Sequence, residues 1–281
     1  MPLLRLLARL PLWLVHVLGG GLGWVAHTLS AAYRRGLREN AGRAGITPAA
    51  RRASVAEAGR LVMELPRLWL RPRERAIEDP VHWQGETLIE QCVAQPGGLL
   101  LLTPHIGSFE VAAQAFSQRF GQRKPLTVLY RPARQRWLRE LEETARARDH
   151  LATAPATLAG VRQLLRALRR GETAGMLPDQ VPPQGQGAWA PFFGHPAYTM
   201  TLAARLVQQT GAAVIVLWCE RLPHGRGYVV HAEPLAEPLP AGASDEALAA
   251  AMNRSMEAVI LRCPAQYLWG YARYKAPRGA A

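Results

Sequence analysis

The chain reads as an α/β fold: a mainly parallel sheet flanked by helices on both faces, behind an N-terminal apolar membrane-anchoring helical segment. Beyond residue 80, short apolar runs alternate with helix-period stretches. That alternation implies parallel strands joined by crossover helices. The chain has 281 residues and is 49% hydrophobic, enough to fill the core of such a domain.

Three segments are expected. Residues 1–35 form the membrane anchor. No Lys, Arg, Asp or Glu lies between Leu10 and Leu29, and at about 1.5 Å per residue that stretch just crosses a bilayer core. Pro11, Gly19, Gly20, Gly21 and Gly23 weaken it as a helix, and His16 and His27 are polar. Arg5 and Arg9 precede it, and Arg34, Arg35 and Arg38 follow, so the positive-inside rule leaves its orientation open. A span and an interfacial segment both fit, and a buried hairpin covering the domain is the alternative. A cleaved signal fits worse, because the apolar part is long and a basic cluster follows it.

Residues 36–80 read as a helical connector. Thr47 as N-cap and Pro48 behind it open a helix to about Trp69, and Arg71–Asp79 is a charged linker. Residues 81–281 form the α/β domain. Strands are expected at Leu99–Leu102, Leu126–Tyr130, Thr173–Leu177, Ala212–Trp218 and Gly227–Ala232. Helices are expected at Ser108–Phe120, Arg134–Arg148, Thr157–Arg170, Met200–Gln209 and Ser244–Arg262. Pro178–Thr199, rich in Pro, Gly and Gln, reads as a long loop of the kind that is functional or lid-like.

The formal net charge is +13, which points to an anionic partner: nucleic acid, acidic lipid or an acidic protein. Arginine-rich solvated faces are the plainer explanation. The cysteines Cys92, Cys219 and Cys263 are odd in number and far apart, as suits free thiols in a reducing compartment. No serine-nucleophile elbow, HExxH or CxxC spacing occurs, and no metal or cofactor is implied.

The chemistry concentrates in "LLLLTPHIGSFEVAAQAF", Leu99–Phe116. In parallel sheets, ligands bind beyond the carboxyl ends of strands, and His105 stands at such an end. Glu110 falls in the first turn of the next helix, close enough to accept a hydrogen bond from one imidazole nitrogen and leave the other as a base. The N–H groups of Gly107 and Ser108 are candidates to stabilise an oxyanion, and Gly107 would let a substrate approach the backbone. The plainer alternative is a histidine that merely caps the helix.

"TPHIGSFE" resembles the His-x4-Asp/Glu motif of glycerolipid acyltransferases, and within them the bacterial lipid A late (lauroyl/myristoyl) acyltransferase family. "VLYRPARQRWLRELEETARAR", "GMLPDQVPPQGQGAWAPFFGHPAYTMTLAARLVQQTGAAVI" and "PAQYLWGYARYK" are similar to three further stretches of that family. The resemblance covers nearly the whole chain. It implies transfer of an acyl chain from acyl-acyl carrier protein to a hydroxyl of a lipid A precursor, at the cytoplasmic side of a bacterial inner membrane. Lipids and an acidic carrier protein are then the partners, and nucleic acid is not.

In that reading His105, oriented by Glu110, is the general base. Arg131 binds the substrate's phosphate or helps hold the oxyanion. Asp179 and Gln180 stand beside the substrate, and Val181 replaces an acidic residue common in the family. Arg162, Arg166, Arg169 and Arg170 offer a basic face for the carrier or for anionic lipid. Tyr267, Trp269, Tyr271 and Tyr274 form an interfacial belt or a packing segment, and Trp189, Phe192 and Phe193 line an acyl groove or the core. A lysophospholipid or glycerol-phosphate acyltransferase, and a non-catalytic protein that binds anionic membranes, remain the alternatives.

Overall fold

Seven strands form one sheet whose central strand, β2 (Leu99–Leu102), is buried at every residue. The computed structural model describes residues 2–279 except 73, 78, 134, 136–138, 140, 143, 144, 146, 147 and 241. The expected helix over residues 134–148 falls for the most part outside the described residues.

The chain opens with helices α1 (Pro2–Ala8), α2 (Leu12–Leu29), α3 (Ala31–Arg43) and α4 (Pro48–Trp69). The α/β unit follows with β1 (Val81–Gln84), α5 (Glu86–Ala94), β2, α6 (Phe109–Phe120), β3 (Leu126–Tyr130) and β4 (Leu151–Pro155). It continues through α7 (Leu158–Arg169), β5 (Thr173–Met176), β6 (Gly187–Phe192), β7 (His195–Met200) and α8 (Leu202–Thr210). β8 (Ala213–Arg221), β9 (Tyr228–Pro234) and α9 (Asp245–Arg262) complete it.

The strand order is β1-β9-β8-β2-β5-β3-β4. Every neighbouring pair is parallel except β8 with β9, which form an antiparallel hairpin. The sheet sorts the alternating side chains of β2 into two cores. Leu100 and Leu102 pack with α7, α8 and α9 on one face, and Leu99 and Leu101 pack with α5 and α6 on the other.

The five expected strands and the helix from Pro48 to Trp69 are present at nearly the expected bounds. β1, β4 and α5 were not anticipated. β1 is a half-exposed edge strand that carries His82, and β4, "LATAP", has no apolar run to reveal it. The expected loop over Pro178–Thr199 instead holds the β6–β7 hairpin. Phe193 and Gly194 both take positive φ at its tip, the conformation that two-residue hairpin turns require. Phe193 N–H donates to Glu257 Oε1 at 2.7 Å, which ties the tip to α9.

α2 packs against α4, and a buried ion cluster closes their contact with the sheet. Arg221, at the end of β8, donates Nε to Glu64 Oε1 (2.7 Å), Nη2 to Glu64 Oε2 (2.9 Å) and Nη1 to Glu57 Oε2 (2.8 Å). His16 Nε2 lies 2.6 Å from Glu64 Oε1, and Tyr228 Oη donates to the same oxygen at 3.2 Å. Burial pushes the Glu64 carboxyl up, but the Arg221 charge and the His16 and Arg221 hydrogen bonds outweigh it and bring the group down to about 2.

Glu64 therefore stabilises the fold fully above its ordinary value of 4.5, and that stabilisation is lost as pH falls towards 2. Glu64→Gln should lower unfolding stability at neutral pH by about 3 kcal/mol, because Arg221 loses its bidentate partner. Denaturant titrations of both proteins from neutral to acid pH check this. The difference between them should shrink below pH 4.5, and a constant difference would count against the assignment.

Candidate active site

The segment after β2 is held at both ends before it presents any side chain. Thr103 N–H continues the ladder to Met176 O (3.1 Å), and its hydroxyl donates to Leu217 O (2.6 Å). Gly107 N–H donates to Gln266 O (3.0 Å) and Ser108 N–H to Cys219 O (2.9 Å). Leu268 N–H donates to His105 O (3.1 Å), and Arg221 Nη2 reaches Gly107 O (3.3 Å). The C-terminal segment and the end of β8 thus clamp the turn that carries His105.

Asp179 holds the ring itself. His105 Nδ1 is 2.6 Å from Asp179 Oδ1, and His105 N–H donates to Asp179 Oδ2 at 2.9 Å. An ionised carboxylate only accepts, so Nδ1 carries the proton and Nε2 keeps its lone pair. Gln180 Nε2 lies 3.0 Å from His105 Nε2, the geometry of an amide N–H donating to that lone pair. Burial pushes the Asp179 carboxyl up. The facing His105 ring, with its ring and backbone hydrogen bonds, outweighs burial and leaves the group below its ordinary value. Tyr267 lies beside the same carboxylate, and burial together with the Asp179 charge pushes its phenol well up.

On its outer side His105 borders a cavity of about 680 Å³. Phe109 and Ala113 of α6, Val128 and Leu129 of β3, Val161 of α7 and Leu177 give it apolar walls. Glu110, Arg131 and Gln180 supply polar groups along the same wall. The cavity suits a long apolar chain with a polar head at the His105 end.

The expected site residues are brought together in part. His105, Glu110, Arg131 and Gln180 share the cavity. Asp179 does not line it. Only 2% exposed, Asp179 sits behind the ring and takes the part that Glu110 was expected to play towards Nδ1. The reason is topological: β5 pairs directly with β2, so the residues after β5 arrive beside the turn after β2. That strand adjacency was the missing signal.

The oxyanion expectation for Gly107 and Ser108 is corrected. Both N–H groups are spent on backbone carbonyls, Ser108 is fully buried, and neither residue lines the cavity. Gly107 is required for another reason. Its φ is +57°, and a Cβ there would collide with the Cys219 carbonyl, so the close approach is made by β8 and not by a substrate.

The structure also decides between the two alternatives left open for each aromatic group. Tyr267 and Trp269 are buried, with Arg273 among them, so they pack the core and form no interfacial belt. Phe192 is buried against Tyr274. None of Trp189, Phe192 and Phe193 lines the cavity.

A histidine held by a buried carboxylate thus borders an apolar cavity at the carboxyl edge of a parallel sheet. Comparison with known proteins gives the chain its family. The family model for bacterial lipid A biosynthesis acyltransferases matches residues 1–276, and the chain belongs to that family and is an acyltransferase. It is 28% identical over 220 residues to the lipid A biosynthesis lauroyltransferase of Escherichia coli (strain K12), covering 78% of this chain and 69% of that one. It is 26% identical over 219 residues to the lipid A biosynthesis palmitoleoyltransferase of the same strain, covering 77% and 68%. A lipid A biosynthesis acyltransferase of Haemophilus influenzae is 25% identical over 202 residues, covering 70% and 61%.

Gly107→Ala should destabilise the protein by on the order of 3 kcal/mol, since a left-handed backbone and a steric clash act together. Thermal denaturation measures the loss. A melting temperature equal to the parent's would show that the turn relaxes freely.

Proposed function

We propose that the chain transfers an acyl group from an acyl-acyl carrier protein thioester to a hydroxyl of a lipid A precursor, with His105 as general base. One observation carries the reading: a ring fixed through Nδ1 on a buried carboxylate borders an apolar cavity, with Nε2 beside Gln180 of the same lining. Family membership and the names of the relatives support lipid A as the acceptor.

The acceptor hydroxyl displaces the Gln180 amide from His105 Nε2 and gives its proton to that nitrogen. Its oxygen attacks the thioester carbonyl. The C–S bond then breaks, and the departing carrier thiolate takes the proton back from Nε2. Asp179 keeps the ring in the productive tautomer and offsets the imidazolium charge as it forms. The acyl chain lies along the cavity walls, where burial contributes about 0.8 kcal/mol per methylene.

Glu110, on the cavity wall, is assigned to the acceptor's polar head, and Arg131 to the anionic group of the substrate. The exposed arginines Arg162, Arg166 and Arg169 of α7 and Arg170 just after it suit an acidic carrier, although Arg170 also pairs with Glu172. α2 is long and apolar enough to cross a membrane. Flanked by Arg5 and Arg9 before it and Arg34, Arg35 and Arg38 after it, α2 supports attachment of the 1–35 segment to the inner membrane; the cytoplasmic side for the catalytic domain goes with the acyl carrier protein donor proposed above.

Purified enzyme assayed with acyl carrier protein thioesters and a tetraacylated lipid A precursor tests this. His105→Ala should lower kcat by roughly a thousandfold or more, and Asp179→Asn by about 10²–10⁴, both with the melting temperature measured in parallel. Full turnover by folded His105→Ala would end the general-base assignment. Faster acylation of a lysophospholipid than of the lipid A precursor would move the enzyme to another acceptor class.

Glu110→Gln should mainly raise the acceptor KM, by about tenfold, with kcat little changed. A loss confined to kcat would return Glu110 to a role on the ring.

A further inference from the structure

We propose that α1 and α2 lie flat in the membrane interface, without crossing it, and that the face they present takes an anionic lipid bilayer. The proposal rests on the membrane attachment inferred above and specifies its geometry. α2 is not free to leave the domain. It runs antiparallel to α4 along its whole length: Leu10 O accepts from Arg67 Nη1 at 2.8 Å, His16 meets Glu64 at 2.6 Å, and Gly23 lies against Val55. Gly19, Gly23 and Gly59 bring the two backbones so close that a Cβ on any of them would collide with the opposite helix.

Whatever depth α2 reaches, α4 reaches with it. α4 carries Arg51, Arg52, Glu57, Arg60, Glu64 and Arg67, a set that hydrocarbon does not accept. The pair therefore cannot cross as a unit. The opposite face of α2 is apolar and uncovered. Trp13, Val17, Leu22, Val25 and Leu29 stand 55%, 62%, 41%, 52% and 81% exposed, and together they cover a broad stripe, about half of the helix circumference, turned away from α4. Leu6 of α1 extends it at 60%.

Exposed Arg5 and Arg9 precede α2 in the chain, exposed Arg35 and Arg38 follow it, and the Arg52 guanidinium lies over the Trp24 ring of α2 at 5.5 Å. A helix with an apolar stripe and arginines around it is the sequence of a segment that rests at a headgroup boundary. The placement also brings the chemistry to the lipid. β8 runs parallel to β2, so the Pro223–Gly225 turn after β8 lies beyond the same sheet edge from which His105 emerges. Gly225 packs against the backbone of Trp13. The bilayer-facing helix thus flanks the edge of the sheet that bears the site.

The test uses the full chain with a fluorophore on a cysteine at position 6, 17 or 29, mixed with preformed vesicles of phosphatidylethanolamine and phosphatidylglycerol. Bromines placed near the headgroup end or near the terminal methyl of the lipid chains report depth. All three positions should be quenched best by the shallow bromines, and flotation with the vesicles should weaken in high salt. Val17→Asp combined with Val25→Asp should cut the floated fraction by about tenfold or more while the melting temperature holds.

Deepest quenching at position 17 by the chain-end bromines, with positions 6 and 29 accessible from opposite sides, would mean a span. That would overturn the flat seat but leave membrane attachment standing. A folded protein that floats with neither these nor neutral vesicles overturns both. A stripe covered by a second copy, seen as a dimer that the double aspartate variant dissolves, also overturns the proposal.

Discussion

Asp179 accepts from both the backbone N–H and the ring of His105, and the rest of the site is arranged around that double contact. One carboxylate fixes where the residue sits and which ring nitrogen carries the proton. Because Asp179 is fully buried, water does not compete for it, and the lower local dielectric strengthens both hydrogen bonds. Leu268 N–H holds His105 O, so the C-terminal segment contributes to the site without reaching the cavity.

A second buried charge centre keeps that geometry in register. Arg221 ties Glu57 and Glu64 of α4 to the end of β8 and reaches Gly107 O in the turn that carries His105. Its own backbone N–H and C=O bracket the Gln266 side chain at 2.9 and 2.8 Å, and Gln266 O in turn holds Gly107 N–H. His16 brings α2 into the same cluster. The apolar helix, the sheet edge and the histidine turn are therefore parts of one packed unit. Loosening any of them costs a buried ion its partner.

Much of this could be read from residues near one another in the chain. The continuous leucines of β2 announce a strand covered on both faces, the Thr47-Pro48 pair announces α4, and the His105 turn follows from the sheet rule for ligand sites. What stayed hidden depends on strand order. Nothing local links His105 to Asp179, which lies 74 residues away; only the pairing of β2 with β5 does. Glu110 was the obvious carboxylate because it is near in sequence, but the start of α6 places it on the cavity wall. The hairpin at residues 187–200 was masked by its prolines and by a phenylalanine in a positive-φ turn position, where glycine or asparagine is the usual sign.

Nitrogen-15 NMR of the His105 ring tests the central claim most directly, because it reports which nitrogen holds the proton. At neutral pH the protein should show Nδ1 protonated and Nε2 bare, Glu110→Gln should keep that pattern, and Asp179→Asn should lose it. A ring protonated on Nε2 in the parent, or a pattern that survives Asp179→Asn and vanishes with Glu110→Gln, would contradict the account.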